Sequence, residues 1–140
     1  MCIRDRANIW FANAIEKHFG SQHLHATSVH PGLITSSNLG THLPPDQSSI
    51  FYTPEAQRVA KNVEQGAATQ VWAAVGVEWA SKGGRFLSNL AEPGRFEDRE
   101  KEEGMEFWAN DGWKAWAYDE EGAERLWRES FGMVGLEQED

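Results

Sequence analysis

Histidine side chains gather in the first third of the sequence and are the first candidates for chemistry. The five histidines are His18, His23, His25, His30 and His42. Clustered imidazoles are typical of zinc sites. However, no two of them have the His-x-x-x-His spacing of a helical ligand pair, and the only acids nearby are Glu16 and Asp46. A metal site therefore stays an alternative, which zinc-induced stabilisation in a melting assay would support.

Ser28 and His30 are the second arrangement of catalytic residue types. A serine hydroxyl becomes a nucleophile when a histidine takes its proton and an acid orients that histidine. In α/β hydrolases the serine stands in a Gly-x-Ser-x-Gly turn, and this sequence has no such turn. The pair does not predict a hydrolase.

The elements that must position these residues alternate between helix and strand. We predict a helix from Ala7 to Phe19, a strand over Leu24–His30, a loop over Leu33–Thr53, helix over much of Glu55–Ala80 with a break near Asn62, a strand over Arg85–Leu90, and a final helix from about Asp119 to Gly132. Strands separated by helices indicate parallel pairing and an α/β fold. Two strands alone make a poor sheet. The pattern therefore predicts the end of a larger sheet.

Composition narrows the class of protein. The chain has 140 residues, enough for one domain, and a net charge of −9, which argues against a nucleic-acid partner. Its one cysteine, Cys2, excludes an internal disulfide. The sequence contains no apolar run long enough to span a bilayer and no secretory signal. We expect a cytoplasmic protein with no membrane partner.

Three segments, taken in order, carry a family resemblance. They are Ala7-Asn8-Ile9-Trp10-Phe11-Ala12-Asn13-Ala14-Ile15, the strand end Ser28-Val29-His30-Pro31-Gly32, and Glu64-Gln65-Gly66-Ala67-Ala68-Thr69. Together they resemble the C-terminal half of short-chain dehydrogenases/reductases, above all the subgroup of retinol dehydrogenases and WW-domain-containing oxidoreductases. The likeness extends from Ala7 to Gly135. It implies the C-terminal part of a doubly wound Rossmann-type parallel sheet.

The resemblance also implies a reaction, the interconversion of an alcohol and a carbonyl with NAD or NADP. The family's glycine-rich dinucleotide turn lies in the N-terminal half of the domain and is absent from this sequence. The choice between NAD and NADP is set in that same half. The family's catalytic Tyr-x-x-x-Lys would fall on Met1 and Asp5. Methionine cannot transfer a proton, and an aspartate would oppose formation of a phenolate. We therefore assign no catalytic residue to this chain.

By the same resemblance, the cofactor would lie on the turn after the first strand. Pro31, Gly32, Leu33 and Ile34 would approach the nicotinamide ring, and a hydroxyl of Thr35 or Ser36 would contact its carboxamide. Glycine suits a backbone that must come close to a flat ring. The alternative is a plain strand-ending turn.

The loop from Ser37 to Thr53 resembles the family's variable substrate lid. Leu39 and Leu43, with Ile50 and Phe51, would form an apolar wall for a small-molecule alcohol or carbonyl substrate. An ordinary exposed connection is the alternative. Family members often pair through the helix that follows the catalytic tyrosine, so a homodimer is an open expectation for the whole protein.

Two further interpretations concern the ends of the chain. Residues 1–6 interrupt the apolar helix pattern with Arg, Asp and Arg, and they resemble adaptor-derived leaders of translated metagenomic fragments. We predict that they are a non-native leader and that residues 7–140 are the C-terminal part of one NAD(P)-binding domain. The aromatic stretch from Phe107 to Tyr118 packs under the tail helix in this interpretation. The alternative function is a non-catalytic, aromatic-rich interaction module.

Overall fold

The computed structural model describes residues 3–38, 41–98 and 112–136, with the backbone alone for residues 3–5. Its helices and strands are α1 (Ile3–Phe19), β1 (Thr27–His30), α2 (Pro45–Ser48), α3 (Pro54–Val59), α4 (Val63–Val75), β2 (Arg85–Ser88) and α5 (Glu120–Met133). Short 3-10 turns connect several of them. None of the helices in these ranges has the length and apolar character needed to cross a bilayer.

The two strands form a small parallel sheet. Thr27 pairs with Arg85 at one end and His30 with Ser88 at the other. The connection between them runs through α3 and α4, as a parallel pair requires. The predicted α/β arrangement is therefore confirmed as a mixed chain with a parallel pair of strands. The larger, doubly wound sheet stays a prediction.

The core lies where α1 meets the sheet. Ile9 of α1, Phe86 of β2 and Ala117 are buried together, and Trp113, Trp116 and Tyr118 pack against them. Because side chains alternate along a strand, Leu87 points to the opposite face of the sheet, where it is fully buried. Both α1 and α4 contact both strands. The two strands are thus covered as a buried parallel pair must be.

The tail helix α5 packs along α1 through an aromatic cluster. Its Trp127 is 8% exposed and lies against the rings of Phe11, His18, Phe19 and Phe131, with centroids 5.0 to 5.9 Å apart. Asp119 caps the helix by accepting a hydrogen bond from the Gly122 N–H at 3.0 Å. The predicted start of this helix is therefore confirmed.

Some predicted boundaries were wrong. The first helix begins at Ile3, four residues before the predicted Ala7. Arginine and aspartate are tolerated there because a first helical turn does not need an apolar face, and an acid suits its positive end. Arg6 also lies over the rings of Trp10 and Trp116, at 5.6 and 5.1 Å from their centroids. Residue 6 therefore packs against the fold, although the leader itself remains a prediction.

The predicted long loop and long helix also differ in detail. The loop contains α2 and a 3-10 turn over Ser49–Tyr52, because Pro45 occupies the first helical position, where a missing N–H costs nothing. The break near Asn62 is confirmed. Asn62 caps α4 in a reciprocal capping box with Gln65, so α3 and α4 are separate helices.

Candidate functional site

The candidate site is the edge of the sheet at which both strands end, here called the carboxyl edge. β1 ends at His30 and β2 at Ser88, and the parallel register places these two residues side by side. The Pro31–Ser36 turn follows the first and the Ser88–Ala91 turn continues from the second. In open α/β sheets ligands bind at this edge.

Gly32 gives the Pro31–Ser36 turn its shape. Its φ is +84°, a left-handed conformation that side chains rarely adopt, and its N–H donates a hydrogen bond of 3.2 Å to His30 Nδ1. A Cβ at this position would lie 2.9 Å from Nζ of Lys61. Glycine is required here by its left-handed conformation, and the flexible Lys61 side chain crosses the position of its missing Cβ.

The next residues of this turn are pinned to the link between α3 and α4. Leu33 makes a parallel bridge with Ala60, and its carbonyl accepts a hydrogen bond of 2.8 Å from the Lys61 N–H. The side chain of Ile34 fills the space that a Cβ on Gly66 would occupy, since that Cβ would lie 2.2 Å from Cδ1 of Ile34. The Gly66 of the family-like Gly-Ala-Ala segment therefore serves close packing against the turn.

Thr35 and Ser36 occupy the tip of this turn. The Ser37 N–H donates to the Ile34 carbonyl at 3.2 Å, which closes the chain around the two hydroxyl residues. Thr35 is half-buried and Ser36 is exposed. The six residues predicted to bind a cofactor thus form one turn at the carboxyl edge, and their role stays a prediction.

Lys61 and Asn89 join the two turns, and no pattern in the sequence indicates that they meet. The Lys61 ammonium crosses Gly32 and donates a hydrogen bond to Asn89 Oδ1, beyond the end of β2. Neither residue belongs to a recognised motif. Only the three-dimensional pairing of the strands shows that positions 28 residues apart meet here.

The N-terminal turn of α1 faces the same edge. Helix α1 runs antiparallel to the strands, because its Ile9 packs on Phe86 while its Glu16 lies beside Gly83 and Gly84, which precede β2. Asp5, the position that the resemblance assigns to the catalytic lysine, is in the first turns of this helix. Met1, the tyrosine position, lies outside the described residues.

The described apolar side chains of the predicted substrate lid are exposed or half-buried. Leu43 is 38% exposed and Ile50 is 40% exposed, while Phe51 is half-buried and accepts a hydrogen bond of 3.0 Å from Gln57 at its carbonyl. Leu39 lies outside the described residues. The assignment of Leu39 and Leu43 to a substrate wall stays a prediction.

The histidines are dispersed through the fold. His18 stacks on Trp127 and lies 3.3 Å from Glu124, His25 pairs with Glu16 at 3.1 Å, and His30 accepts the hydrogen bond from Gly32. Within the described ranges, no three His, Cys, Asp or Glu side chains come together in a way that could hold a metal ion.

The described aromatic residues of the C-terminal stretch face the core. Trp113, Trp116 and Tyr118 pack on the Ile9–Phe86–Ala117 cluster, and the Tyr118 hydroxyl accepts a hydrogen bond of 3.2 Å from the Phe86 N–H. This hydrogen bond ties the C-terminal stretch to the backbone of β2. Phe107 and Trp108 lie outside the described residues.

An open cavity of about 290 Å³ lies between α1 and α5. Asn13, Lys17, Tyr118 and Glu124 are among its lining residues, and Gly84 places it towards the amino ends of the strands. Among its charged groups, the Lys17 ammonium donates a hydrogen bond of 3.0 Å to Glu124 and holds the pKa of that carboxyl below its ordinary value. The cavity contains none of the predicted site residues.

Curated proteins give the family comparison. The chain is 38% identical over 139 residues to Oxidoreductase calI of Penicillium decumbens, covering 96% of this chain and 38% of that protein. It is 39% identical over 131 residues to Short-chain dehydrogenase/reductase prx1 of Penicillium roqueforti, covering 93% of this chain and 36% of that protein. The chain is related to short-chain dehydrogenases/reductases.

A third relative of the short-chain dehydrogenase/reductase type, prx1 of Penicillium rubens, is 37% identical over 131 residues. The chain spans a little over a third of the length of these relatives, 36% to 38%. No protein-family model and no solved structure matches it. The relatives are named as an oxidoreductase and as short-chain dehydrogenases/reductases, and the comparisons do not distinguish a subgroup.

Proposed function

We propose that this chain is the C-terminal part of an NAD(P)-dependent short-chain dehydrogenase/reductase that interconverts an alcohol and a carbonyl. The observation that carries the proposal is a spatial one. The Pro31–Ser36 turn and the N-terminal turn of α1 lie at one edge of the sheet, although the sequence separates them by more than twenty residues. A dehydrogenase needs its cofactor turn and its proton-transfer residues on one side of the substrate.

The Pro31–Ser36 turn suits a nicotinamide. Gly32 leaves its backbone without a Cβ, and the half-buried Thr35 and exposed Ser36 place hydroxyls at the tip, where a carboxamide would find hydrogen-bonding partners. A nicotinamide held here would supply the hydride chemistry that interconverts the alcohol and the carbonyl. The part of this chain is to bind and orient, and either NAD or NADP is consistent with it.

The remaining parts of the proposal concern the whole protein. The proton of the alcohol oxygen would pass to a tyrosine at the position of Met1, with a lysine at the position of Asp5 lowering its pKa. We assign residues 1–6 to a non-native leader for this reason. Leu39 and Leu43 would face a small alcohol or carbonyl, and the retinol-dehydrogenase-like subgroup, a cytoplasmic location and a homodimer belong to the same proposal.

An independent read of the nucleotide sequence upstream of Ala7 tests this proposal. We expect codons for Tyr-x-x-x-Lys, with the lysine two residues before Ala7, and a glycine-rich turn further upstream. The complete protein should then oxidise NADH or NADPH in the presence of a carbonyl compound. If the second read returns the same Met1–Arg6 codons within a longer frame, the proposal is wrong.

A further inference from the structure

The Ser88–Ala91 turn after β2 has two consecutive residues with positive φ, and neither is a glycine. Asn89 has a φ of +52° and Leu90 a φ of +55°. Ser88 and Ala91 exchange two backbone hydrogen bonds of 3.0 Å, which closes a two-residue hairpin turn. Such turns with two positive φ values strongly prefer Asn-Gly. Asparagine fits its position, whereas leucine in the left-handed region is a genuine outlier.

The surrounding fold holds this strained turn in place from two sides. The Leu90 N–H donates a hydrogen bond of 3.2 Å to the hydroxyl of Thr69, a residue only 1% exposed. On the other side, the Lys61 ammonium holds Asn89 Oδ1 and crosses Gly32 of the Pro31–Ser36 turn. These contacts hold the Ser88–Ala91 turn beside the predicted cofactor turn.

The Leu90 side chain gains little from this arrangement within the fold. It is 54% exposed, so about half of its apolar surface faces solvent. Strain that the surrounding structure maintains without burial is found mainly at ligand sites. An exposed apolar side chain on a rigid turn at the carboxyl edge offers a ligand a preformed contact.

We propose that Leu90 is an apolar wall of the substrate site and a determinant of its preference for hydrocarbon-rich alcohols and carbonyls. Lys61 and Asn89 position this wall against the Pro31–Ser36 turn. The inference rests on the proposed function, because it presupposes a carbonyl or alcohol substrate next to the cofactor turn.

Kinetics of the complete enzyme test the wall. For Leu90→Asn we expect the KM for a ketone with a hydrocarbon chain to rise about tenfold, the effect of a few lost apolar groups in a pocket. The kcat should stay within about twofold and the KM for NAD(P)H should not change. Leu90→Met should retain the wild-type KM. Leu24→Asn is the matched control, because Leu24 is 55% exposed and precedes β1 at the opposite edge.

A melting experiment on the 140-residue chain separates this role from packing. Asparagine tolerates a positive φ, so Leu90→Asn should raise the Tm by about 3 °C. A fall of that size would show that Leu90 serves packing and would overturn the inference. A KM unchanged by Leu90→Asn in an active enzyme would overturn it alone. A wild-type protein without NAD(P)-dependent turnover would overturn the proposed function and this inference with it.

Discussion

Gly32 shows how one residue can be fixed by two independent constraints. Its φ of +84° excludes most side chains, and Lys61 occupies the position of its missing Cβ. The first constraint is the larger, because the long side chain of Lys61 can move aside at little cost. The backbone of the turn cannot, since its Leu33 carbonyl is hydrogen-bonded to the Lys61 N–H. The sequence indicates the need for glycine through the Pro-Gly pair and conceals the part of Lys61.

Replacing Gly32 with alanine should therefore destabilise the chain. We expect the free energy of unfolding to fall by about 1–2 kcal/mol, the cost of a left-handed conformation for a residue with a Cβ. Urea denaturation followed by tryptophan fluorescence measures this. Gly94→Ala is the matched control, since a Cβ there meets no atom within 4 Å. Equal effects of the two substitutions would contradict the assignment.

Helix α4 illustrates a contest between helix propensity and packing. Gly66 is buried within this helix, and Ile34 of the Pro31–Ser36 turn sits where its Cβ would be. Alanine would favour the helix by about 1 kcal/mol, while overpacking typically costs about 1–3 kcal/mol. Packing should win, because a Cβ would lie 2.2 Å from Cδ1 and also 2.8 Å from Cγ1 of Ile34, so that rotation of the terminal methyl group alone does not remove the overlap.

The prediction is that Gly66→Ala destabilises the chain by about 1 kcal/mol. Its control is Gly132→Ala near the end of α5, where a Cβ meets no atom within 4 Å and alanine should stabilise by about 0.5 kcal/mol. Both are helical glycine-to-alanine changes, so only packing separates them. Denaturant midpoints of the two variants should move in opposite directions. If both Gly66→Ala and Gly132→Ala stabilise the chain, the Ile34 side chain moves to accommodate the new methyl group.

The contact between α1 and α5 should weaken in acid. The Lys17 ammonium, which donates a hydrogen bond to Glu124, holds the pKa of that carboxyl below its ordinary value of 4.5. A lowered folded-state pKa stabilises the fold above the unfolded value, and this stabilisation is lost as the pH falls through the folded pKa. Lys17 is 55% exposed, so the gain is only about 0.5 kcal/mol.

Glu124→Gln should reduce the free energy of unfolding by about that amount at pH 7, and the difference from the wild type should vanish in the acid range, below the ordinary carboxyl pKa. Thermal denaturation across a pH series measures it. The control is Glu129→Gln, because the ion pair of Glu129 with Arg125 is 4.0 Å long and both side chains are well exposed. If the difference in free energy of unfolding between Glu124→Gln and the wild type persists in acid, the stabilisation comes from packing rather than from the ion pair.

At the scale of the whole molecule, the sequence predicts the order of elements better than their limits. The alternation of helix and strand follows from apolar spacing and from the Pro-Gly and Gly-Gly breaks, which are local features. The start of α1 at Ile3 and the helical turns at Pro45–Tyr52 were missed because charged or proline-rich turns are compatible with both helix and loop.

The candidate site follows the same division. The Pro31–Ser36 turn could be found from a motif, because its residues are contiguous. Lys61 and Asn89 could not, since the Lys61 side chain crosses Gly32 and reaches Asn89 only because β1 and β2 pair in parallel. A left-handed leucine also leaves no trace in a sequence. Contacts between distant positions can therefore be found only once the fold is known.

The last prediction concerns the activity of the 140-residue chain by itself. The 140-residue chain should show no NAD(P)-dependent turnover of alcohols or ketones, because Met1 and Asp5 stand at the tyrosine and lysine positions. The control is the Met1→Tyr, Asp5→Lys double variant of the same chain. It should also be inactive, because the 140 residues contain no glycine-rich dinucleotide turn to hold the cofactor. Oxidation of NADH or NADPH is followed by its fluorescence. Turnover by the wild-type chain would refute the catalytic assignment, and turnover by the double variant alone would show that the Pro31–Ser36 turn is enough to bind the cofactor.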